Sequence, residues 1–292
     1  MRCDCADGEE CAGDNVETCA SVHCESDPPS GFVVSVLFLA RYATPDAATK
    51  GFSVATWNVS HDNTNLAEMA AMIRKMDADL VCLQEPTAAA ERMIRNELNR
   101  TYAYVHFSSG GQYADGFGML SKFPFTRTNF LAAKHGLFGA WIAAVNVGGR
   151  NVQIANLHLC PPDTRRLQSL LGAPKMFEES DALHLREIEP VWKSLAIGTT
   201  TIVLGDFNDF ASSSVARFLS SRGLIDGFGS TTKTPDAHGT WSCRLGEREL
   251  SFRIDHIYHS PELQTVESRI LNGGGSDHRP VISRLVWRSE HQ

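Results

Sequence analysis

From about residue 50 onward, short apolar runs alternate with stretches of helical period. FSVATWN (52–58) is rich in strand-forming residues and ends on a polar one. In NLAEMAAMIRKM (65–76), Leu66, Met69, Ile73 and Met76 recur at spacings of three and four, which predicts an amphipathic helix. DLVCLQE (79–85) is a continuous apolar strand closing on Gln84 and Glu85. A second helix is predicted over 87–99 and a strand over 102–107. FGMLSKFPF, AWIAAVNV and NVQIANLHL follow as strands, the last two joined by the turn Gly148-Gly149-Arg150. A polar, proline-containing stretch (161–180) leads to a helix near 181–196. TIVLGDFND (201–209) is a buried strand that breaks at Gly205, with a helix after Ser212. FRIDHIYHS (252–260) and PVISRLVW (280–287) are the closing strands.

Some of these strands pair through hairpins and others are separated by helices. That mixture predicts an α/β fold: a four-layer sandwich of two packed mixed β-sheets flanked by helices, in one domain over 51–288. The chain has 292 residues, 42% of them hydrophobic, enough for a core of that size.

Charge divides the chain. Residues 1–30 hold eight acids and one base, which accounts for the whole net charge of −7 and leaves the remainder formally neutral. A neutral domain argues against tight, sequence-independent binding to long nucleic acid, and no dedicated nucleic-acid-binding module is evident. Five cysteines (Cys3, Cys5, Cys11, Cys19 and Cys24) crowd the acidic segment at spacings that match no paired zinc pattern. A disordered tail is the expectation there, with zinc binding or disulfides as alternatives. Cys82, Cys160 and Cys243 sit in apolar contexts and read as buried thiols. Residues 31–50 read as a linker or apolar docking segment. Within it, FVVSVLFLA (32–40) is too short to span a bilayer, though a weak membrane association through it is an alternative. There is no recognisable signal peptide, so an intracellular location is the default expectation. No protein partner is inferred.

The polar residues that end the apolar runs carry the chemistry: Asn58, Glu85, His158, Asp206 with Asn208, Asp255, and Asp277 with His278. Each alone has an ordinary structural explanation. Together they are a set of acids, amides and imidazoles that structural demands would not select, placed where distant segments converge at one edge of packed sheets.

TWN, LQE, NLHL, GDFN, RIDHIY and SDHRP, in this order and spacing over 52–287, resemble the endonuclease/exonuclease/phosphatase superfamily. The resemblance implies a deoxyribonuclease-like four-layer fold and hydrolysis of phosphomonoesters or phosphodiesters with Mg²⁺ or Mn²⁺. It implies Glu85 as the principal metal ligand, assisted by Asn58, with Asp277 near the metal directly or through water. Asp206 would orient or deprotonate the attacking water, and Asn208 would donate to the phosphoryl group. Asp255 would hold the imidazole of His278, and His158 would donate to the phosphate or the leaving oxygen. The choice of general base between Asp206 and His278 stays open at the level of sequence. Arg165 and Arg166, on the loop after His158, are the candidates for a substrate contact. Trp57 and Trp241 read as core or rim packing, and His238, His256 and His259 as structural or surface residues. The expected substrate is a phosphoester: lipid, small molecule or nucleic acid. A lipid or small substrate would call for apolar loops beside the site, and a nuclease for a basic track with an aromatic rim. A non-catalytic binding module on the same fold is disfavoured because Glu85, Asp206 and His278 are all retained.

Overall fold

A computed structural model describes residues 51–108, 114–163, 172–245 and 247–288. The acidic segment, the 32–40 run, Arg165 and Arg166 lie outside the described residues.

The first sheet contains β1 (Phe52–Asn58), β2 (Leu80–Gln84), β3 (Tyr104–Ser108), β4 (Phe117–Ser121), β13 (Leu263–Ile270) and β14 (Val281–Trp287), in the order β13-β14-β1-β2-β4-β3. The second contains β5 (Phe125–Leu131), β6 (Ala140–Val147), β7 (Arg150–His158), β8 (Thr200–Asp206), β9 (Ile225–Asp226) and β12 (Asp255–His259), in the order β5-β6-β7-β8-β12-β9. A separate hairpin, β10 (Trp241–Leu245) and β11 (Arg248–Phe252), joins neither. Each large sheet has one parallel pair, β1 with β2 and β7 with β8, and its other pairs are antiparallel. A parallel pair needs a crossover, and both crossovers are helical. Helix α1 (Leu66–Met76) joins β1 to β2, and α3 (Gly172–Ser194) joins β7 to β8. The other helices are α2 (Ala88–Glu97), α4 (Ser214–Ser220) and α5 (Gly227–Thr231).

Alternation along the strands builds the layers. Phe52, Val54, Leu80 and Cys82 of the first sheet meet Val145, Ile154, Ile202 and Leu204 of the second in one buried cluster. Ala55, Trp57, Val81 and Leu83 point the other way, onto Met69, Ile73 and Met76 of α1 and Ile94 of α2. Ala155, Leu157 and Val203 face Ile188 and Val191 of α3 and Leu219 of α4. The expected four-layer sandwich of two mixed sheets flanked by helices is therefore the observed fold.

Differences are local. Helix α3 starts at Gly172, well inside the polar stretch read as a loop. Strands β5, β9, β10, β11 and β13 went unpredicted. In β5 and β13 the half-exposed positions dilute the apolar signal, and β10–β11 lies outside both large sheets. Cys82 is buried as expected, but Cys160 is only half-buried, because it sits in the turn after β7.

Two glycine positions shape the future site. Gly205, at φ +144°, lies one residue before Asp206, and a Cβ there would meet the Leu157 carbonyl oxygen at 2.0 Å. Gly274 packs flat on Trp57, whose six-membered ring a Cβ would meet at 2.7 Å. The turn before Asp277 thus lies tight against β1, and Ser276 Oγ fixes it by donating to Asn58 O at 2.7 Å. Gly205→Ala should lower stability by about 2–3 kcal/mol, since neither the backbone conformation nor the neighbouring carbonyl can accommodate a methyl. A urea midpoint equal to that of the parent chain would contradict this close approach.

Candidate active site

Strand register gathers the polar ends. Across the second sheet, His158 pairs with Asp206 and Asp206 with Asp255, so three site residues stand in one row on adjacent strands. Across the first, Asn58 pairs with Gln84, and Glu85 follows directly. Glu85 and Asn208 both adopt left-handed backbone, φ +61° and +49°. Asn tolerates that region; Glu does so rarely, and such strain clusters where a side chain must be aimed.

At the cavity floor one amide bridges the acids of the two sheets. Asn58 Nδ2 donates to Glu85 Oε1 at 2.8 Å and to Asp206 Oδ2 at 3.0 Å. His158 Nε2 stands 3.7 Å from that Glu85 oxygen and 3.6 Å from the same Asp206 oxygen. His278 Nε2 is also 3.6 Å from Asp206 Oδ2, while its Nδ1 bonds Asp255 Oδ2 at 3.0 Å. Phe138 stacks on the His158 ring at 3.9 Å between centroids, fixing its plane. Asn58, Glu85, His158, Asp206, Asn208 and His278 all line a single cavity of about 520 Å³.

Burial and charge drive the two imidazoles apart. For His158, burial outweighs the nearby carboxylates and holds its pKa below the usual histidine value. For His278, burial also acts downward, but the charges of Asp255 and Asp206 and the hydrogen bond to Asp255 overcome it, raising the pKa to about 10. His278 is therefore a cation near neutral pH, while burial works against a charge on His158. Burial, reinforced by the charge on Asp255, raises Asp206 despite the adjacent imidazoles. Glu85 is held low: burial opposes ionisation, but His158, Asn58 and His61 stabilise the anion.

A family model, the Endonuclease/Exonuclease/phosphatase family, matches residues 55–278. The chain belongs to this family. No curated protein matches the sequence. Among solved structures, an endonuclease/exonuclease/phosphatase from Beutenbergia cavernae aligns with a TM-score of 0.63 at 17% identity, over 81% of this chain and 71% of that one. D. rerio TDP2 complexed with single strand DNA product aligns at 0.61 and 18%, over 80% and 98%. TDP2 from C. elegans aligns at 0.57 and 18%, over 80% and 75%. At these identities the likeness extends to the fold.

Members of the endonuclease/exonuclease/phosphatase family hydrolyse phosphoesters and generally depend on a divalent metal. Among the described residues, ligand atoms of Asp206, Asp255 and His278 lie within 4.8 Å of one another, a group that could hold one. Asp255 Oδ2 is already engaged by His278 Nδ1, and Asp255 is wholly buried behind the imidazole with its Oδ1 unpartnered. The carboxylates of Glu85, Asp206 and Asp163 line the cavity, the first two at its floor. Carboxylate oxygens at the floor of an open cavity suit a hard cation such as Mg²⁺ or Mn²⁺, which keeps waters and shares substrate oxygens. Asn58 Oδ1 accepts from Ser60 N at 2.9 Å, and its Nδ2 faces the two carboxylates and aligns them.

Asp277 is exposed, outside the cavity lining, and accepts from Trp241 Nε1 at 2.9 Å. Trp57 is core and donates to His278 O at 3.0 Å, while Trp241 forms part of the cavity rim. His256 is buried, bonded to Asp209 O and to Arg253.

Three site neighbours escaped the sequence reading. His61 bonds Glu85 Oε2 through its Nδ1 at 2.7 Å, from a turn three residues after TWN. His184 and Glu187, on α3, anchor the loop after His158. His184 Nε2 meets Cys160 O at 2.7 Å and its Nδ1 meets Asp209 Oδ2 at 3.0 Å, tying the exits of β7 and β8 together. Both ring nitrogens face acceptors, so His184 carries two protons; burial opposes this, yet the Asp209 bond wins and its pKa is raised. Glu187 receives Cys160 N–H on both oxygens, and burial lifts its pKa to about 7. An acid with a raised folded pKa stabilises most below its unfolded value and loses that contribution as pH rises through the folded one. Glu187→Gln should therefore melt higher than the parent at pH 8 and alike near pH 5; equal melting temperatures at both would refute the buried-acid assignment.

Proposed function

We propose that this member of the endonuclease/exonuclease/phosphatase family is a divalent-metal-dependent phosphodiesterase or phosphatase that works by in-line attack of water. The observation that carries the reading is the shared hydrogen bond at Asn58, which places Glu85 and Asp206 side by side at a cavity floor flanked by the imidazoles of His158 and His278.

Glu85, with Asp206 beside it, would hold the cation, with Asp277 further out. The cation supplies charge neutralisation for a phosphoryl oxygen and lowers the barrier to attack by an anionic nucleophile. The residues do the rest. Asp206, held by Asn58 Nδ2 and 3.6 Å from both imidazoles, is the carboxylate placed to accept the proton of the attacking water. A pKa near 10 removes His278 as base near neutral pH and makes it a donor to the phosphoryl group from Nε2. Asp255 holds that imidazole by its Nδ1 and compensates its charge. His158 is placed to donate to the phosphate or the leaving oxygen, with Phe138 fixing its plane. Asn208 spends one amide hydrogen on Leu159 O and keeps the other for a phosphoryl oxygen. Arg165 and Arg166 remain candidates for a substrate contact.

A nuclease is the second reading, and the single strand DNA product bound to D. rerio TDP2 favours it. The neutral charge balance of residues 31–292 weighs against it.

His278→Ala should lower turnover of a phosphoester by at least about 100-fold in steady-state assays, the scale of a lost charge-stabilising group. Near-parental turnover would remove His278 from the mechanism. Glu85→Gln should weaken Mn²⁺ binding by about tenfold or more in calorimetry, a readout independent of turnover. Parental affinity would place the metal elsewhere.

A further inference from the structure

The cavity is polar at its floor, and apart from Asp163 and His61 the described residues of its walls carry no charge. Above the catalytic row its wall is built from Met176 and Phe177 of α3, Phe210 after β8, Leu250 and Phe252 of β11, and Ile254. These side chains come from segments far apart in sequence and meet in one continuous strip. Phe177 and Phe210 lie 5.6 Å apart between centroids, Phe210 and Phe252 also 5.6 Å, and Trp241 is 6.4 Å from Phe252. Trp241 in turn lies 6.4 Å from His278, so the strip runs down to the phosphoryl end. Phe177 is 37% exposed, which leaves apolar surface open to water at the rim.

From these features we infer that the substrate of this site is a phosphoester whose organic group is an aliphatic chain, and that the strip is the subsite for that chain. The inference rests on the phosphoesterase reading and adds the identity of the esterified group. Three observations support it. A volume of about 520 Å³ is that of a small-molecule pocket and exceeds the needs of a phosphoryl group alone. The described residues of the strip itself carry no formal charge, so it offers an ester's organic group apolar contact and would desolvate a charged or polar one without a partner. Two of the three ring pairs along the strip are tilted, by 49° and 64°, and the third, Trp241 with Phe252, lies at 24°, so the strip has no common plane. Flat bases stack on parallel open ring faces, whereas a flexible chain fits an irregular apolar strip.

The reaction for a monoester is hydrolysis at phosphorus. The water oxygen bonds to phosphorus, and the bond between phosphorus and the alkyl oxygen breaks. The leaving oxygen ends with one proton, giving an alcohol and inorganic phosphate, with no change of oxidation state.

Two series of probes test the inference on the full chain with Mn²⁺: n-alkyl phosphates from butyl to decyl, kept below micelle formation, and the matching n-alkylphosphonates, whose phosphorus–carbon bond resists hydrolysis. Affinity for the phosphonates and kcat/KM for the phosphates should each rise roughly two- to fourfold per added methylene until the strip is filled. Phe177→Asp and Leu250→Asp, on different elements, should each flatten both slopes. Chain-length-dependent phosphonate binding without hydrolysis of any ester would keep the subsite and overturn the phosphoesterase reading. Hydrolysis with a flat series, or a single-stranded oligonucleotide turned over better than decyl phosphate, would overturn the subsite.

Discussion

Glu85 leaves one sheet and Asp206 the other, and a single amide, Asn58 Nδ2, donates to both. Two carboxylates approaching in a poorly hydrated space repel unless something compensates, and the uncompensated cost at an effective dielectric near 20 is about 4 kcal/mol at 4 Å. The amide and the His158 ring, 3.6–3.7 Å from both acids, meet that demand in the free protein. A cation would meet it more fully. The rest of the architecture serves to keep the two sheets offset so that this pair forms.

The offset is held partly by polar groups buried between the sheets. Gln84 Nε2 donates to Asn156 Oδ1 at 2.6 Å and to Thr56 Oγ1 at 3.1 Å, while Asn156 Nδ2 reaches Leu83 O at 3.1 Å. Such bonds are directional where apolar packing is not, so they fix one register between the layers. Beneath them the apolar cluster supplies area; around them the left-handed turns at Glu85 and Asn208 aim the side chains. On the outer side, His184 ties the loops leaving β7 and β8 through one doubly protonated ring. The cavity thus combines a rigid polar floor with walls contributed by a helix, a hairpin and a loop.

The two histidines of the site have their pKa values driven in opposite directions by what stands around each. His278 has the fully buried carboxylate of Asp255 on its Nδ1. His158 has a phenyl ring against its face. The environment, more than the residue type, divides the labour between them.

The sequence by itself determined the layered fold and the inventory of the floor. Apolar alternation and helical period are local signals, and the strand-end motifs TWN, LQE, NLHL, GDFN and SDH each keep their chemistry within a few residues. The tertiary structure decided everything that depends on distance between segments. It turned Asn58 into a donor between two acids, and it placed Asp277 against Trp241 instead of on the cavity floor. It also recruited His61, His184 and Glu187, whose roles rest on partners 24 to 27 residues away with no motif to mark them. The apolar strip was equally hidden: Phe177, Phe210 and Leu250 are ordinary residues in sequence, and only the placement of Phe210 between Phe177 of α3 and Phe252 of the hairpin makes one surface of them.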